Sequence, residues 1–527
     1  MRFLRAVASL MVAALVLTAC SGTGDVKTRP SSPAPAPPAT SSPTDEPDAP
    51  GAYDPLAGTD PELAAFYGQS ASWEDCGTDL QCADITVPLD YENPNDGRTV
   101  RLHVGILGSA GDGKPGLFLN PGGPGGSGFG MLDWITYSVS SALASSYNMV
   151  GFDPRGVNTS DAVSCLTDQQ WDERNAMWWD TDTQEGLDQY VVDSQAFVDA
   201  CVENTPGDLL EFIDTDSAAR DLDILRAVVG QKDTLDYLGY SYGTFLGAQY
   251  AELFPERVGA FVLDGAVDPA LSMNEVALGQ AAGFEYAIRA YMEDCLAGRS
   301  CPFSGTVDEG LDQLQNFFDV VKATPIPTED PARPLGLSAA VSGVIIGLYE
   351  SSLWGETSAA LTMAMRDGDG SALLYWADMS VGRLEDGTYE DNSSDAFLAI
   401  DCLDYPVEGT MEDWLANADE MAEVTPFWGD SFAYTEVTCS MWPYQSTRTP
   451  APVTASGAAP ILVIGTTGDP ATPYEWSVSL AEQLESGTLL TFEGNGHTAY
   501  GRSNSCINDA VDAFLIDGTV PEDGKTC

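Results

Sequence analysis

Gly239-Tyr240-Ser241-Tyr242-Gly243 is the stretch whose reading decides this chain. It has the form G-x-S-x-G, and its flanks give the pattern meaning. Ahead of it lies Asp233-Thr-Leu-Asp-Tyr-Leu-Gly239, a short apolar run suited to a buried strand. Behind it lies Thr244-Phe-Leu-Gly-Ala-Gln-Tyr-Ala-Glu-Leu-Phe254, apolar at helical spacing and stopped by Pro255. Strand, tight turn and helix together form the setting that holds a serine exposed as a nucleophile. Close backbone approach around such a turn calls for small residues at Gly239 and Gly243. The amides at the start of the helix point to where negative charge would develop. The blander reading is an ordinary glycine-rich turn between a strand and a helix.

Outward from this turn, strands and helices alternate. Ile85–Leu89 and Thr99–Leu107 read as alternating strands, and Gly116–Asn120, Tyr147–Phe152 and Val258–Leu263 as short apolar ones. Ser217–Val229 reads as an amphipathic helix. This rhythm predicts an α/β fold with a mostly parallel, doubly wound sheet. It stops from about 267 to 455, where helical runs dominate, and returns with strands at Ala459–Gly465 and Gly487–Phe492 and a closing helix at Asn508–Leu515. The expected organisation is a core over 61–266 and 456–527, with a mainly helical cap inserted over 267–455.

The N-terminus reads as an export signal over 1–19. Met1-Arg-Phe-Leu-Arg5 is basic, and the apolar run from Ala6 to Leu17 is too short to stay as a membrane span. It ends in Leu17-Thr18-Ala19-Cys20, which resembles a bacterial lipobox, and that resemblance implies lipidation at Cys20 and a membrane anchor. Residues 20–60, rich in Pro, Ser, Thr, Ala and Asp, form the expected extended tether. The expected address is the outer face of the cell membrane, or release from it.

Charge and cysteine content agree with export. Lys and Arg number 22 against 80 Asp and Glu, a net charge of −58 in 527 residues. Such a surface repels nucleic acid and suits a soluble extracellular protein. Of the 11 cysteines, ten remain once Cys20 is set aside, an even number that suggests disulfides. Pairing of sequence neighbours would give Cys76–Cys82, Cys165–Cys201, Cys295–Cys301, Cys402–Cys439 and Cys506–Cys527. The chain has only two histidines, so no His-rich metal site is expected, and the reading calls for no cofactor.

A serine nucleophile needs a base, and the base needs an orienting acid. His103 lies mid-strand, whereas His497 lies in the loop Gly494-Asn-Gly-His-Thr498 past a late strand, which makes His497 the expected base. Asp264 and Asp469 both end strands and compete to orient it. Asp469 is favoured because its loop, Gly468-Asp-Pro-Ala-Thr-Pro473, directly precedes the strand that leads to His497. In that loop Thr472 either helps keep the carboxylate ionised or only caps the next helix. The amides of Tyr242 and Gly123 are the candidate oxyanion donors. Gly123–Gly128 is also formally G-x-G-x-x-G, but Pro124 within it and the extracellular address count against a dinucleotide site. Asp153 and Arg155 are expected to pair and brace their loop.

Assembled, these residues resemble the prolyl- and tripeptidyl-aminopeptidase group of α/β-hydrolase serine peptidases, with actinobacterial secreted lipoproteins as the nearest subgroup. The matching motifs are Asn120–Ser127, Gly151–Gly156, Gly239–Gly243, Gly468–Pro473 and Gly496–Thr498. Where the family usually begins its Pro-Gly-Gly-Pro-Gly loop with His, this chain has Pro121. The resemblance implies a Ser241–Asp469–His497 triad and hydrolysis of peptides or esters. Ala399–Asp404 resembles a cap segment of the subgroup, so Asp404 or Asp401 is the expected anchor for a substrate ammonium. The leading expectation is an aminopeptidase acting on free N-termini. A carboxylesterase or lipase, and an inactive tethered binding protein, stand as alternatives.

Overall fold

Strand β3, Thr99–Leu107, shows how the sheet is specified: Val100, Leu102, Val104 and Ile106 are buried while Arg101 and His103 between them are not. Side chains alternate faces along a strand, so each face finds its own partner layer. In this computed structural model residues 53–527 are described, apart from Asp182, Gln231 and Asp430. The predicted signal segment, Cys20 and the tether as far as residue 52 lie outside the described residues. Tyr53–Cys527 forms one compact unit.

The other strands are β1 (Glu74–Gly77), β2 (Leu80–Pro88), β4 (Gly116–Asn120), β5 (Asn148–Phe152), β6 (Leu235–Tyr240), β7 (Val258–Asp264), β8 (Ile461–Gly468), β9 (Gly487–Asn495) and β10 (Lys525–Thr526). They make one sheet in the order β1-β2-β3-β5-β4-β6-β7-β8-β9-β10. The pairings β1–β2, β2–β3 and β3–β5 are antiparallel. From β5 through β10 every pairing is parallel. The expected doubly wound sheet is therefore present, with an antiparallel edge.

Helices cover both faces. On one face Leu117, Leu119, Leu238, Val262, Leu462 and Ile464 pack with Ile507, Val511 and Phe514. On the other, Phe118, Tyr237, Phe261, Leu263 and Val463 pack with Leu222, Leu225, Phe245 and Tyr250. The longer helices of the core are α1 (Asp168–Asn175), α2 (Gln184–Asn204), α3 (Thr215–Leu225), α4 (Tyr242–Leu253), α12 (Tyr474–Gln483) and α13 (Ser505–Asp517). Between β7 and β8 come α5 (Met273–Ala297), α6 (Val307–Ala323), α7 (Leu337–Leu348), α8 (Trp354–Thr362), α9 (Ser371–Ser380), α10 (Ser393–Asp404) and α11 (Met411–Val424). This helical insertion has a core of its own around Phe284, Ile288, Leu314, Val344 and Leu361.

All five disulfides join the sequence neighbours named above. Among the described residues no helix is long and apolar enough to cross a membrane. His103 is held on the sheet, its Nδ1 2.8 Å from Asp84 Oδ1 and its ring edge-on to Phe129.

The expected Asp153–Arg155 pair does not form. Arg155 instead reaches Asp221 on α3, with Nε and Nη2 each 2.7 Å from a carboxylate oxygen. Its other donors go to the carbonyls of Leu89, Phe212 and Pro88. Asp153 accepts from Ser127 Oγ, Phe129 N and Thr159. A guanidinium with five donors in a fixed fork needs several acceptors, and a distant helix and three backbone carbonyls supply them. Arg155 is 0% exposed and Asp221 1%, so Arg155→Met leaves Asp221 as an unpaired buried charge. Breaking such a pair costs about 3–5 kcal/mol. A urea melt followed by circular dichroism is expected to show that loss, and an unchanged midpoint would show that the pair does not hold α3 to the sheet.

Candidate active site

β6 runs into Ser241, whose φ of 55° and ψ of −126° a side-chain-bearing residue rarely adopts. The neighbours enforce it. A Cβ on Gly239 would come within 2.4 Å of Gly243 O, and one on Gly243 within 2.8 Å of Asn120 O. The turn therefore closes only with glycine on both sides. Ser241 N donates to Asp264 O at 3.0 Å. Ser241 O accepts from Thr244 N at 2.8 Å and from Thr244 Oγ1 at 2.6 Å. The side chain is partly exposed at the head of α4, and among the described residues its hydroxyl has no hydrogen-bond partner.

His497 follows β9, which lies three strands from β6 in the sheet. The loop after β9 runs back along the sheet edge, and five consecutive amides fix its path. Gly496 N donates to Gly468 O at 3.1 Å and His497 N to Tyr349 O at 2.7 Å. Thr498 N donates to Asp469 Oδ2 at 3.1 Å. Ala499 N and Tyr500 N both donate to the Asp264 carboxylate, the latter at 2.7 Å. Finally Tyr240 OH, beside Ser241, donates to Tyr500 O at 3.4 Å. The imidazole is thereby carried from the end of β9 across β8 and β7 toward β6.

Asp469 and His497 meet. His497 Nδ1 lies 2.9 and 3.0 Å from the two oxygens of Asp469. The same carboxylate accepts from Ala471 N at 2.9 Å and Thr472 N at 2.8 Å. Asp469 is 3% exposed and His497 8%. With Nδ1–H given to the acid, Nε2 is left as the basic nitrogen. Thr472 Oγ1 lies 3.3 Å from Nδ1. Thr472 does not cap the next helix, because Pro473 occupies that position.

Asn120–Gly126 forms the facing wall. Asn120 Oδ1 accepts from Gly122 N at 2.9 Å. Gly122, at φ 105°, lies so close to the elbow that a Cβ there would be 2.9 Å from Ser241 Cβ and 3.3 Å from Tyr242 N. Gly123 precedes a cis bond to Pro124, and among the described residues its N–H has no acceptor. Tyr242 is the first residue of α4, where the helix's own bonds leave amides unpaired. Tyr242 directly follows the serine, and Gly123 directly follows the glycine that packs on it.

Asp401 and Asp404 lie on α10, which packs on this wall: a Cβ on Gly125 would be 2.7 Å from Ser393 O and 3.1 Å from Phe397 N. Asp404 is 2% exposed and accepts from Thr215 N at 2.8 Å and Thr215 Oγ1 at 2.6 Å. Thr215 Oγ1 in turn bonds the hydroxyl of Tyr242. Burial pushes the Asp404 carboxyl up to about 7. Asp401 is partly exposed, and among the described residues its carboxylate has no hydrogen-bond partner. Burial, and then the charge of Asp404, raise its pKa well above the usual carboxylate range.

Family models described as alpha/beta hydrolase fold and TAP-like protein match residues 115–378 and 425–527. The chain is 37% identical over 481 residues to serine protease Hip1 of Mycobacterium tuberculosis, covering 87% of this chain and 91% of that protein. The chain belongs to the TAP-like α/β-hydrolases. Within this family it is 34% identical to carboxylesterase B of Mycobacterium tuberculosis, over 90% of this chain and 94% of that one. It is 31% identical to tripeptidyl aminopeptidase of Streptomyces lividans, over 86% of each.

One contribution was not legible in this TAP-like sequence. Asp264 does not touch His497 as its orienting acid; it holds the elbow through its carbonyl and the histidine loop through its carboxylate. Its place at a strand end marked it, but only as a rival to Asp469. Asp264 is 0% exposed, and burial pushes its carboxyl up to about 6 against the pull of the Tyr500 and Ala499 amides. A folded value above the unfolded one of about 3.9 means that the group's stabilising contribution is complete at low pH and is lost as pH rises through the folded value. Asp264→Asn removes that titration. Thermal melts should therefore show the variant losing more stability relative to wild type at pH 5 than at pH 7.5. A difference that stays constant across this range would contradict the assignment.

Proposed function

We propose that the protein is an exported serine aminopeptidase that releases residues or short peptides from free N-termini through an acyl-enzyme on Ser241. As a TAP-like α/β-hydrolase it is a serine hydrolase, and relatives named serine protease and tripeptidyl aminopeptidase favour peptide substrates. The observation that carries the reading is geometric. A strained, partly exposed serine shares one sheet edge with an imidazole whose Nδ1 is held by both oxygens of a buried aspartate.

In the proposed reaction Ser241 Oγ gives its proton to His497 Nε2 and attacks the peptide carbonyl carbon. The carbonyl oxygen becomes an oxyanion facing the amides of Gly123 and Tyr242. The imidazolium, held by Asp469, gives its proton to the leaving amine, the C–N bond breaks, and an ester to Ser241 remains. Water then attacks that ester with His497 as base, releasing the carboxylic acid and restoring the hydroxyl. Thr472, with its hydroxyl beside Nδ1, acts on the imidazole in this scheme rather than on the substrate.

Aminopeptidase action also needs a carboxylate for the substrate ammonium. Of the two candidate acids on α10, Asp401 has its oxygens free, whereas Thr215 takes both oxygens of Asp404. Asp401 lies one turn from Phe397, on the helix that packs against the oxyanion loop. Asp401 is therefore the proposed anchor and Asp404 the support behind Tyr242. The first twenty residues support export and lipid attachment at Cys20, and five disulfides suit an oxidising compartment. The helical insertion is the proposed cap over the site.

Peptides with free and acetylated N-termini, followed by mass spectrometry, test the function. Cleavage of the free form alone is expected; equal cleavage of both, or preference for simple esters, would favour the carboxylesterase reading that the 34% identical relative keeps open. Ser241→Ala is expected to lose turnover by at least a thousandfold and to resist a fluorophosphonate probe. Asp401→Asn should raise KM for free-amine peptides by about tenfold, the scale of one charge-assisted contact, and leave ester hydrolysis unchanged.

A further inference from the structure

The five amides that fix the histidine loop do not all end on the sheet. Those of Gly496, Thr498, Ala499 and Tyr500 go to β8, Asp469 and Asp264, all parts of the hydrolase core. The amide of His497 itself goes to the carbonyl of Tyr349, at the end of α7 in the helical insertion, at 2.7 Å. Glu350 and Gly496 form an antiparallel bridge beside it. The Tyr349 ring stands edge-on to the imidazole, with centroids 5.5 Å apart and planes at 86°. The ring is held from behind by Phe284 at 5.6 Å, which stacks on Phe432 at 5.3 Å.

The fit is close. Gly496 sits at φ 124°, and a Cβ there would lie 3.0 Å from Tyr349 O and 3.4 Å from Glu350 Cα. The insertion touches the other acid–base loop in the same manner. A Cβ on Gly283 of α5 would be 2.5 Å from Pro470 O, and Gln280 Nε2 donates to Ala471 O at 3.1 Å. Asp469 and His497 are thus both seated against the insertion, while Ser241 is seated in the core.

We propose that Tyr349 and Glu350 are a positioning segment for His497, so that the imidazole is aligned with Ser241 only while the helical insertion is seated. An insertion that merely screened the site would change substrate access alone. This one holds the amide of the catalytic histidine and one edge of its ring, so its displacement also changes the chemical step. The proposal rests on the Ser241–His497 reading above and adds to it a source of alignment outside the hydrolase core.

The test compares Tyr349→Ala, Tyr349→Phe and Gly496→Ala by steady-state kinetics on a small ester that needs no insertion contacts. Tyr349→Ala removes the ring from the imidazole, and kcat is expected to fall at least tenfold with KM within twofold. Tyr349→Phe keeps the ring edge and should retain kcat within twofold. Gly496→Ala drives a methyl into the bridge and should lower kcat and the rate of fluorophosphonate labelling together, which keeps the test open if Tyr349→Ala does not fold. Wild-type kcat in both Tyr349→Ala and Gly496→Ala, or a change confined to KM, overturns the proposal. Ser241→Ala and His497→Ala run alongside. If they keep wild-type turnover the triad reading itself has failed, whereas dead controls with an unaffected Tyr349→Ala remove only the positioning role.

Discussion

Asp264 joins the two halves of the site through opposite ends of one residue. Its carbonyl accepts from Ser241 N, and its carboxylate accepts from Ala499 N and Tyr500 N. The sheet makes this necessary. The strand that ends at Ser241 and the strand that leads to His497 are separated by β7 and β8. Neighbouring strands lie about 4.8 Å apart, so without a return path the imidazole would sit about 14 Å from the serine strand. The loop returns because each of its amides finds an acceptor, four in the hydrolase core and one on Tyr349 of the insertion, and a buried carboxylate at the end of β7 supplies the largest share. Burial of an ionisable group is costly. Here the cost is offset by charge-assisted bonds to backbone amides.

The serine turn shows a second constraint, that of space. Its unusual dihedral angles persist because the surroundings leave no alternative. Gly239 and Gly243 pack against each other and Asn120, Gly122 packs on Ser241, and Ser241 N is already bonded. The same close packing sets the Asn120–Gly126 loop against the serine turn. The strain at Ser241 therefore has its cause in a turn too tight for side chains.

The helical insertion has its own apolar core, shares Ala396, Ile400, Leu403 and Tyr405 with the core of the sheet domain, and meets the loops of the site at glycine backbone. Gly283 lies on the Asp469 loop, Gly496 on Glu350, and Gly125 on α10. Contacts of this kind tolerate little sliding, because packed interfaces deform poorly. An insertion so mounted is in direct contact with the loops that carry Asp469 and His497.

By itself the sequence determined the elements and the chemistry that local pattern encodes. The apolar run before Gly239 and the helical spacing after it marked the turn, and of the two histidines the one past a late strand was the expected base. The glycines of 122–125 marked a wall of backbone, and cysteines close in the chain paired as neighbours do. What the sequence left open were the long-range partners of residues whose local surroundings are ambiguous. Arg155 lies two residues from Asp153 but bonds Asp221, because a buried guanidinium follows its fixed fork of donors and not proximity in the chain. Asp264 and Asp469 both end strands, and only the path of the histidine loop gives one to the imidazole and the other to the backbone. Asp401 and Asp404 share a helix, and only the approach of Thr215 leaves one free and the other occupied. Tyr349 carried no motif at all, since its carbonyl is one that any residue has and its ring meets the imidazole only in the folded chain. Such roles were decided by tertiary structure, because hydrogen-bond partners are fixed by where folded segments meet.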